Sequence, residues 1–233
     1  QSELEFVALK LMSLAGKLAF TTTTNATYAN EFDLDYDVDD EMKVKTTVDW
    51  ANNATADIIG DLRTFINLAK SKNLNPKFAY VNLDEFYKIC SADQIVKACA
   101  SFAANALGIS QTPDLTQVNA MLAKQAWLNG IQLRVIDQTI TREFSDGSQT
   151  SGNPFDNCRM VLTENERIGS TQYDILQENN DLILRAERSH TIVKKYGTAE
   201  PQSEVTIGQA DAVPVFDTVY RNLYVRTDAQ DWD

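Results

Sequence analysis

Hydrophobic and polar positions alternate most strictly between Phe32 and Asp39. Phe32, Leu34, Tyr36 and Val38 fall on one face, and Asp33, Asp35, Asp37 and Asp39 on the other. That is the pattern of a half-buried strand. Before it, Leu18 to Thr24 is rich in β-formers, and a turn at Asn25 leads into Thr27 to Val38. The chain opens with a different period. Leu4, Val7, Ala8, Leu11, Leu14 and Ala15 recur at helical spacing over Gln1 to Gly16, with Gly16 as the stop. Glu3, Lys10, Ser13 and Lys17 make only a narrow polar stripe, so this helix is expected to be covered on more than one side.

The stretch from Val48 to Tyr87 is an ordered series. A strand is expected to end at Trp50, and a polar loop follows with Asn53 or Thr55 as the N-cap of the next helix. Ile58, Leu62, Phe65, Ile66 and Ala69 line one face of that helix, which Asn73 and Pro76 close. Phe78 to Val81 is a short apolar run suited to a central strand, and a helix follows over Leu83 to Ile89. Ser91 and Gln94 have capping-box spacing for the next helix, which runs to Leu107 and stops at Gly108. Thr112-Pro113 restarts a helix, with Pro at its first position, to about Trp127.

From Gly130 the period becomes two. Strands are expected over Ile131 to Ile136 and Thr139 to Phe144, then a polar loop over Ser145 to Asn157. Further strands follow at Arg159 to Thr163, Thr171 to Leu176, Asp181 to Ala186, His190 to Tyr196, Ser203 to Gly208 and Arg221 to Arg226. Helices mixed with many strands give an α+β fold class.

Composition fits a folded chain. The 233 residues are 43% apolar and 23% charged, enough for a sizeable core. The net charge of −12 argues against a nucleic-acid-binding surface, which needs a basic patch. No basic run exceeds Lys194-Lys195, and no apolar run reaches the length of a membrane span. Cys90, Cys99 and Cys158 are odd in number and fit no zinc spacing, so reduced cysteines are expected. The sequons at Asn25 and Asn53 are too short and common to weigh.

Candidate chemistry is sparse. Asp33-x-Asp35-x-Asp37 begins like a calcium loop, but Val38 stands where Gly is needed and Val44 where Glu is needed. His190 is the sole histidine, in an expected strand, with no Gly-x-Ser-x-Gly elbow to serve it. No phosphate-binding glycine motif occurs. Glu164 with Glu166, or Asp84 with Glu85, could imitate a carboxylate dyad, but among 33 acidic residues such pairs arise by chance. The expectation is therefore no catalytic, cofactor-binding or metal-binding residue, no cofactor, and a protein that is not an enzyme.

Several stretches in order resemble the tailed-phage major capsid proteins of the lambda-type major capsid protein E family. The opening SELEFVALKLMSLAGKLAF, ending in Leu14-Ala15-Gly16-Lys17, is similar to that family's spine helix. NEFDLDYDV followed by VDWANNATADIIGDLRTF resembles its acidic β-segment, Trp, polar loop and helix. Asn75-Pro76 before FAYVNLDEFYKIC looks like its Pro-led strand. Asn129-Gly130-Ile131-Gln132-Leu133 before VIDQTI looks like its middle hairpin. The stretch with Gly169 and Tyr173, and a closing segment with Val213-Pro214-Val215, complete the set. The ordered set covers nearly the whole chain, and no single motif in it is specific.

The resemblance implies a Hong Kong 97-like phage capsid fold. Its peripheral domain, a spine helix with a long β-sheet, would span 1–52 and 188–233. An inserted axial α/β domain would span 53–187. It implies a structural head-shell protein, found in the virion and assembled in the bacterial host cytoplasm. Partners would be other copies of itself in pentamers and hexamers, with scaffold or portal proteins as further candidates, no specific nucleic acid and no membrane. Family members carry an N-terminal arm and an E-loop before the spine helix. This chain starts inside that helix, so it is expected to be a fragment that folds but closes no shell by itself. The alternatives are a binding module such as a soluble adhesin or phage accessory protein, and an encapsulin-like shell protein.

Overall fold

The computed structural model describes residues 2–25, 28–100, 111–143, 147–173, 185–188, 192–198, 203–209 and 212–232. The fold is mixed α+β, and the chain divides into two compact units. One comprises 1–168 with 216–233, the other 169–215.

The first unit opens with α1 (Ser2–Ser13), β1 (Lys17–Asn25) and β2 (Tyr28–Asp35). As the periodicity predicts, β1 and β2 form a long antiparallel hairpin, pairing Lys17 with Asp35 and Phe20 with Phe32. The alternation also holds in burial: Val38 is buried, whereas Asp33, Asp35, Asp37 and Asp39 are exposed. The strand itself stops at Asp35, because Asp37 has φ +50 and its N–H bonds the Asp35 carboxylate at 2.8 Å. Helix α1 is half-buried along most of its length, and Arg142 stacks over Phe6 at 4.5 Å.

Helix α1 ends at Ser13, short of the expected stop at Gly16. Ala15 and Gly16 both take positive φ after the last turn, and the Gly16 N–H closes on the Leu11 carbonyl at 2.8 Å. Gly16 still has a reason to be glycine. Its φ is +78, and a Cβ there would lie 2.9 Å from the Val219 methyl and 3.1 Å from Tyr36 Cβ. At Gly130, φ is +70 but a Cβ would meet nothing within 4 Å. We therefore expect Gly16→Ala to destabilise by about 1–3 kcal/mol and Gly130→Ala by about 1 kcal/mol or less, in urea titrations run side by side. Equal losses would show that the close approach at Gly16 contributes nothing.

The centre of this unit is a five-stranded mixed sheet in the order β3–β14–β8–β4–β5. Its strands are β3 (Lys43–Lys45), β4 (Phe78–Asn82), β5 (Gln132–Ile136), β8 (Arg159–Thr163) and β14 (Leu223–Arg226). Only β8 runs against the others. Both faces are covered. Ala79, Val81, Leu133, Met160, Leu162, Leu223 and Val225 pack toward the helices. Val161 and Tyr224 pack the other way, with Met12, Ala15, Val38, Phe155 and Phe216. Burial on both faces explains why β8 and β14 read as continuous apolar runs. The sheet joins β3 and β14, from segments assigned by resemblance to the peripheral part, with β4, β5 and β8 from the axial part.

The helix layer contains α2 (Ile58–Ser71), α3 (Leu83–Ser91), α4 (Asp93–Cys99) and α5 (Leu115–Lys124). Ile58, Leu62, Phe65, Ile66 and Ala69 are all buried, as their spacing predicts. The caps differ from expectation. No strand ends at Trp50; the residue lies in a turn whose N–H bonds Thr227 O at 2.9 Å. Asp57, not Asn53 or Thr55, caps α2 through Gly60 N. Gln94 makes no capping box with Ser91. Its Oε1 instead accepts from Ile59 N at 2.9 Å, satisfying a donor of α2 across the helix layer. Residues 101–110, where that predicted helix continues, lie outside the described set.

Pro113 is not the first helical residue either. Asp114 caps α5, forming a capping box with Gln117. Asp114→Ala is expected to lose about 1–2 kcal/mol, read as a drop in the urea midpoint at constant slope. A midpoint unchanged by the substitution would mean the box is redundant. Strands not expected from the pattern are β13 (Ala212–Val215) and one inside the 145–157 stretch. β7 (Gln149–Gly152) lies in the predicted polar loop and pairs with β6 (Ile140–Glu143). All four residues of β7 are exposed, so no apolar alternation marks it.

The second unit is all β among its described residues. β9 (Ser170–Tyr173) pairs antiparallel with β13 (Ala212–Val215). β10 (Arg185–Arg188), β11 (Ile192–Thr198) and β12 (Ser203–Gln209) form an antiparallel meander. Pro214 lies in β13 of the two-stranded pair, where an unpaired edge tolerates a missing donor.

Candidate functional site

Polar side chains converge at one end of the central sheet. The carboxyl ends of β4, β5 and β14 meet the start of β8 there, with the loop 153–158 laid over them. That end of a mostly parallel sheet is where ligand crevices form in α/β folds. Asn153 pins the loop by donating to the Ile136 carbonyl at 2.7 Å and accepting from Phe155 N at 3.0 Å. Phe155, buried to 1% exposure, anchors it in the core. Asn82, the last residue of β4, caps α3 by accepting from Glu85 N at 2.8 Å, and its amide donates to Asn157. Lys10 of α1 pairs with Asp156.

Two charged groups lie within this frame. Glu85 is completely buried; its Oε2 is 2.9 Å from Lys88 Nζ, and its Oε1 has no hydrogen-bond partner. Lys88 also donates to the Cys158 sulfur at 3.1 Å. Burial alone would lower the Lys88 pKa, but its bonds to Glu85 and Cys158 outweigh that and hold it above its ordinary value. The second group is Arg226, 8% exposed and paired across the ladder with Arg159. Arg226 forks onto both oxygens of Asp228, at 3.0 and 2.6 Å, which holds the Asp228 pKa below the usual carboxylate value. Burial and then the Arg226 charge lower the Arg159 pKa, and Arg159 stacks over Trp232 at 4.6 Å.

An open cleft of about 410 Å³ is walled by Asn153, residues 155–159, Arg226 and Asp228. Its charges are mostly paired within the chain. Such an arrangement fastens the chain's end segments to the sheet: Trp232 Nε1 donates to Val44 O at 2.9 Å, and the Arg226 guanidinium also reaches the Asp231 carbonyl.

The residues weighed for chemistry have different partners and exposures. Glu164 accepts from Asn75 N at 2.7 Å and from Arg221 Nε at 2.9 Å, whereas Glu166 is exposed and 3.5 Å from Arg134. The Arg221 and Asn75 bonds outweigh burial and lower the Glu164 pKa. Glu85 is buried while Asp84 is exposed, so the two face different surroundings. Asp33, Asp35 and Asp37 are exposed along the hairpin. No group of three or more His, Cys, Asp or Glu among the described residues is placed to hold a metal ion. His190 lies outside the described residues. All three cysteines are free thiols. Burial pushes the Cys90 thiol up to about 11 and raises Cys99 as well. No helix among the described residues is long and apolar enough to cross a membrane.

Trp50, Ile58, Leu62 and Phe65 are core residues, as expected. Phe78 is only half-buried, its ring covered by the Arg134 guanidinium at 5.5 Å. Sequence reasoning missed the Glu85–Lys88–Cys158 contact. Glu85 and Lys88 are separated by one helical turn, a legible pair, but nothing local pointed from them to Cys158.

No protein-family model matches the chain, and no curated protein matches it in sequence. Solved structures do. The chain aligns over 97% of its length with a protein described as the "putative capsid protein of prophage" from E. coli CFT073, at 12% identity and TM-score 0.63. It also aligns over 83% of its length with a phage-related protein from Bordetella bronchiseptica RB50, covering 57% of that chain, at 12% identity and TM-score 0.48. The chain spans 62% of the length of the E. coli protein. This chain therefore shares the fold of that E. coli prophage protein.

Proposed function

We propose that this chain is part of a major capsid protein of a tailed phage or prophage, a non-enzymatic component that builds a head shell with other copies of itself. The observation that carries the reading is the shared fold, over 97% of this chain, with the E. coli prophage protein. Its ordered likeness to the lambda-type family supports the Hong Kong 97-like form of that fold. In this reading the central sheet and helices α2–α5 are the axial part. β3 and β14 belong with it because they are hydrogen-bonded into the same sheet. Helix α1, the β1–β2 hairpin and the 169–215 unit supply the peripheral part. The virion is then its location, and host cytoplasm the place of assembly.

Shells hold by repetition of modest interfaces closed by symmetry, so no single strong site is required. A net charge of −12 also suits a protein that encloses DNA without gripping it. The test is size-exclusion chromatography with light scattering, and electron microscopy, across a concentration series of the chain. Rings, sheets or shell fragments are expected. A monomer at every concentration that takes up a small molecule or glycan tightly would overturn the reading in favour of a binding module.

A further inference from the structure

The geometry points to Asn119 as the guard of the free edge of the central sheet, an autoinhibitory contact that keeps this edge from pairing with a second copy of the chain. β5 is the outermost strand on its side, and among the described strands it is hydrogen-bonded to β4 alone. The Gln132 N–H donates inward, to the Lys77 carbonyl at 2.8 Å. Successive residues of a strand turn their backbone groups to opposite sides, so the N–H and C=O of Leu133 face away from β4. Such groups on an outer strand are a template for another strand. Asn119 occupies both of them. Its Oδ1 accepts from Leu133 N at 2.7 Å, and its Nδ2 donates to Leu133 O at 3.1 Å. A side-chain amide supplies a donor and an acceptor of the same kind as a peptide group, so Asn119 takes the place that a neighbouring strand would take.

Asn119 lies in the middle of α5, where asparagine is a poor helix former, and its side chain bonds outside its own helix. The outward donor before it on β5, the Ile131 N–H, is taken by the Leu128 carbonyl at 3.1 Å. At the far end of the strand the Ile136 carbonyl accepts from Asn153 at 2.7 Å. The opposite edge of the sheet is blunted by other means, since β3 has only three residues and carries Lys43 and Lys45. The partner held off at β5 is a second copy, because β5 laid antiparallel to itself about a two-fold axis would satisfy both edges reciprocally. The contact lies within one chain and does not depend on the head-shell reading.

The experiment follows exchange of the Leu133 amide hydrogen by NMR in the native chain and in Asn119→Ala, each at low and at high protein concentration. In the native chain Leu133 is expected to exchange about as slowly as Gln132 at both concentrations, although it lies on an outer edge. In Asn119→Ala, where alanine favours the helix, Leu133 should exchange about tenfold faster or more at low concentration. At high concentration its protection should return, as the edge of a second copy takes the place of Asn119. A native Leu133 amide that exchanges like an open loop amide would overturn the assignment, and that comparison needs no variant. Equal Leu133 exchange in the two chains at low concentration would overturn it too. So would fast exchange in Asn119→Ala at every concentration, which would mean that the opened edge takes no partner.

Discussion

Trp50→Ala is expected to destabilise the first unit by about 3–5 kcal/mol, the range for removing a large, fully buried aromatic side chain. Trp50 is 0% exposed, belongs to the helix-side core and donates from its indole N–H to Asp61 Oδ2 at 2.8 Å. Two losses add: the packing of the ring, and the partner of a carboxylate that is already poorly solvated. Trp50→Phe separates them, since it keeps most of the volume and removes only the donor.

The Asp61 carboxyl supplies a pH signature. Burial raises its pKa above 3.8, the Trp50 bond counteracts part of that, and the Asp57 charge adds to it. A carboxyl whose folded pKa is raised binds its proton more tightly when folded. Its contribution to stability therefore falls as pH rises from 3.8 through the raised value. Without the indole donor the raised value moves higher, and the loss with rising pH deepens. The Trp50→Phe deficit, measured in urea titrations, should accordingly be larger at about pH 7 than at about pH 4. A deficit equal at both would mean that the indole bond does not govern Asp61, and the whole effect of Trp50 would then be packing.

What the sequence made legible follows from where each signal lies. The buried face of α2 was readable because its contacts recur every turn on one side, and the hairpin because burial follows the pleat. The helix starts were misread for one reason. A cap is a competition among nearby polar side chains, and Gln94 found its donor in α2, 35 residues back, rather than in its own helix. β7 left no trace because both its faces are exposed. The polar end of the sheet was invisible for a different reason. Lys88 and Cys158 are 70 residues apart, and Arg226 and Arg159 meet only because β14 and β8 are neighbours. Topology brings them together, and no local pattern encodes topology. Fold-level likeness came from the order of many weak segments, which together say more than any one of them.

The second large effect belongs to Lys88. Lys88→Met keeps the length and apolar stem of the side chain and removes the cation from a carboxylate that is 0% exposed. The cost is that of an uncompensated buried charge, about 2–5 kcal/mol, the lower end applying because Lys88 itself retains some contact with water. Removing the charge from both partners is different. In Glu85→Gln/Lys88→Met no ion is left in the interior, so most of the loss should return, and the coupling in a double-mutant cycle should exceed about 1 kcal/mol. If the double variant is no more stable than Lys88→Met, the loss does not come from the stranded carboxylate but from the other ammonium contact, the bond to the Cys158 sulfur. The buried pair would then contribute nothing as a pair, and Glu85 would be tolerated in the interior without its cation.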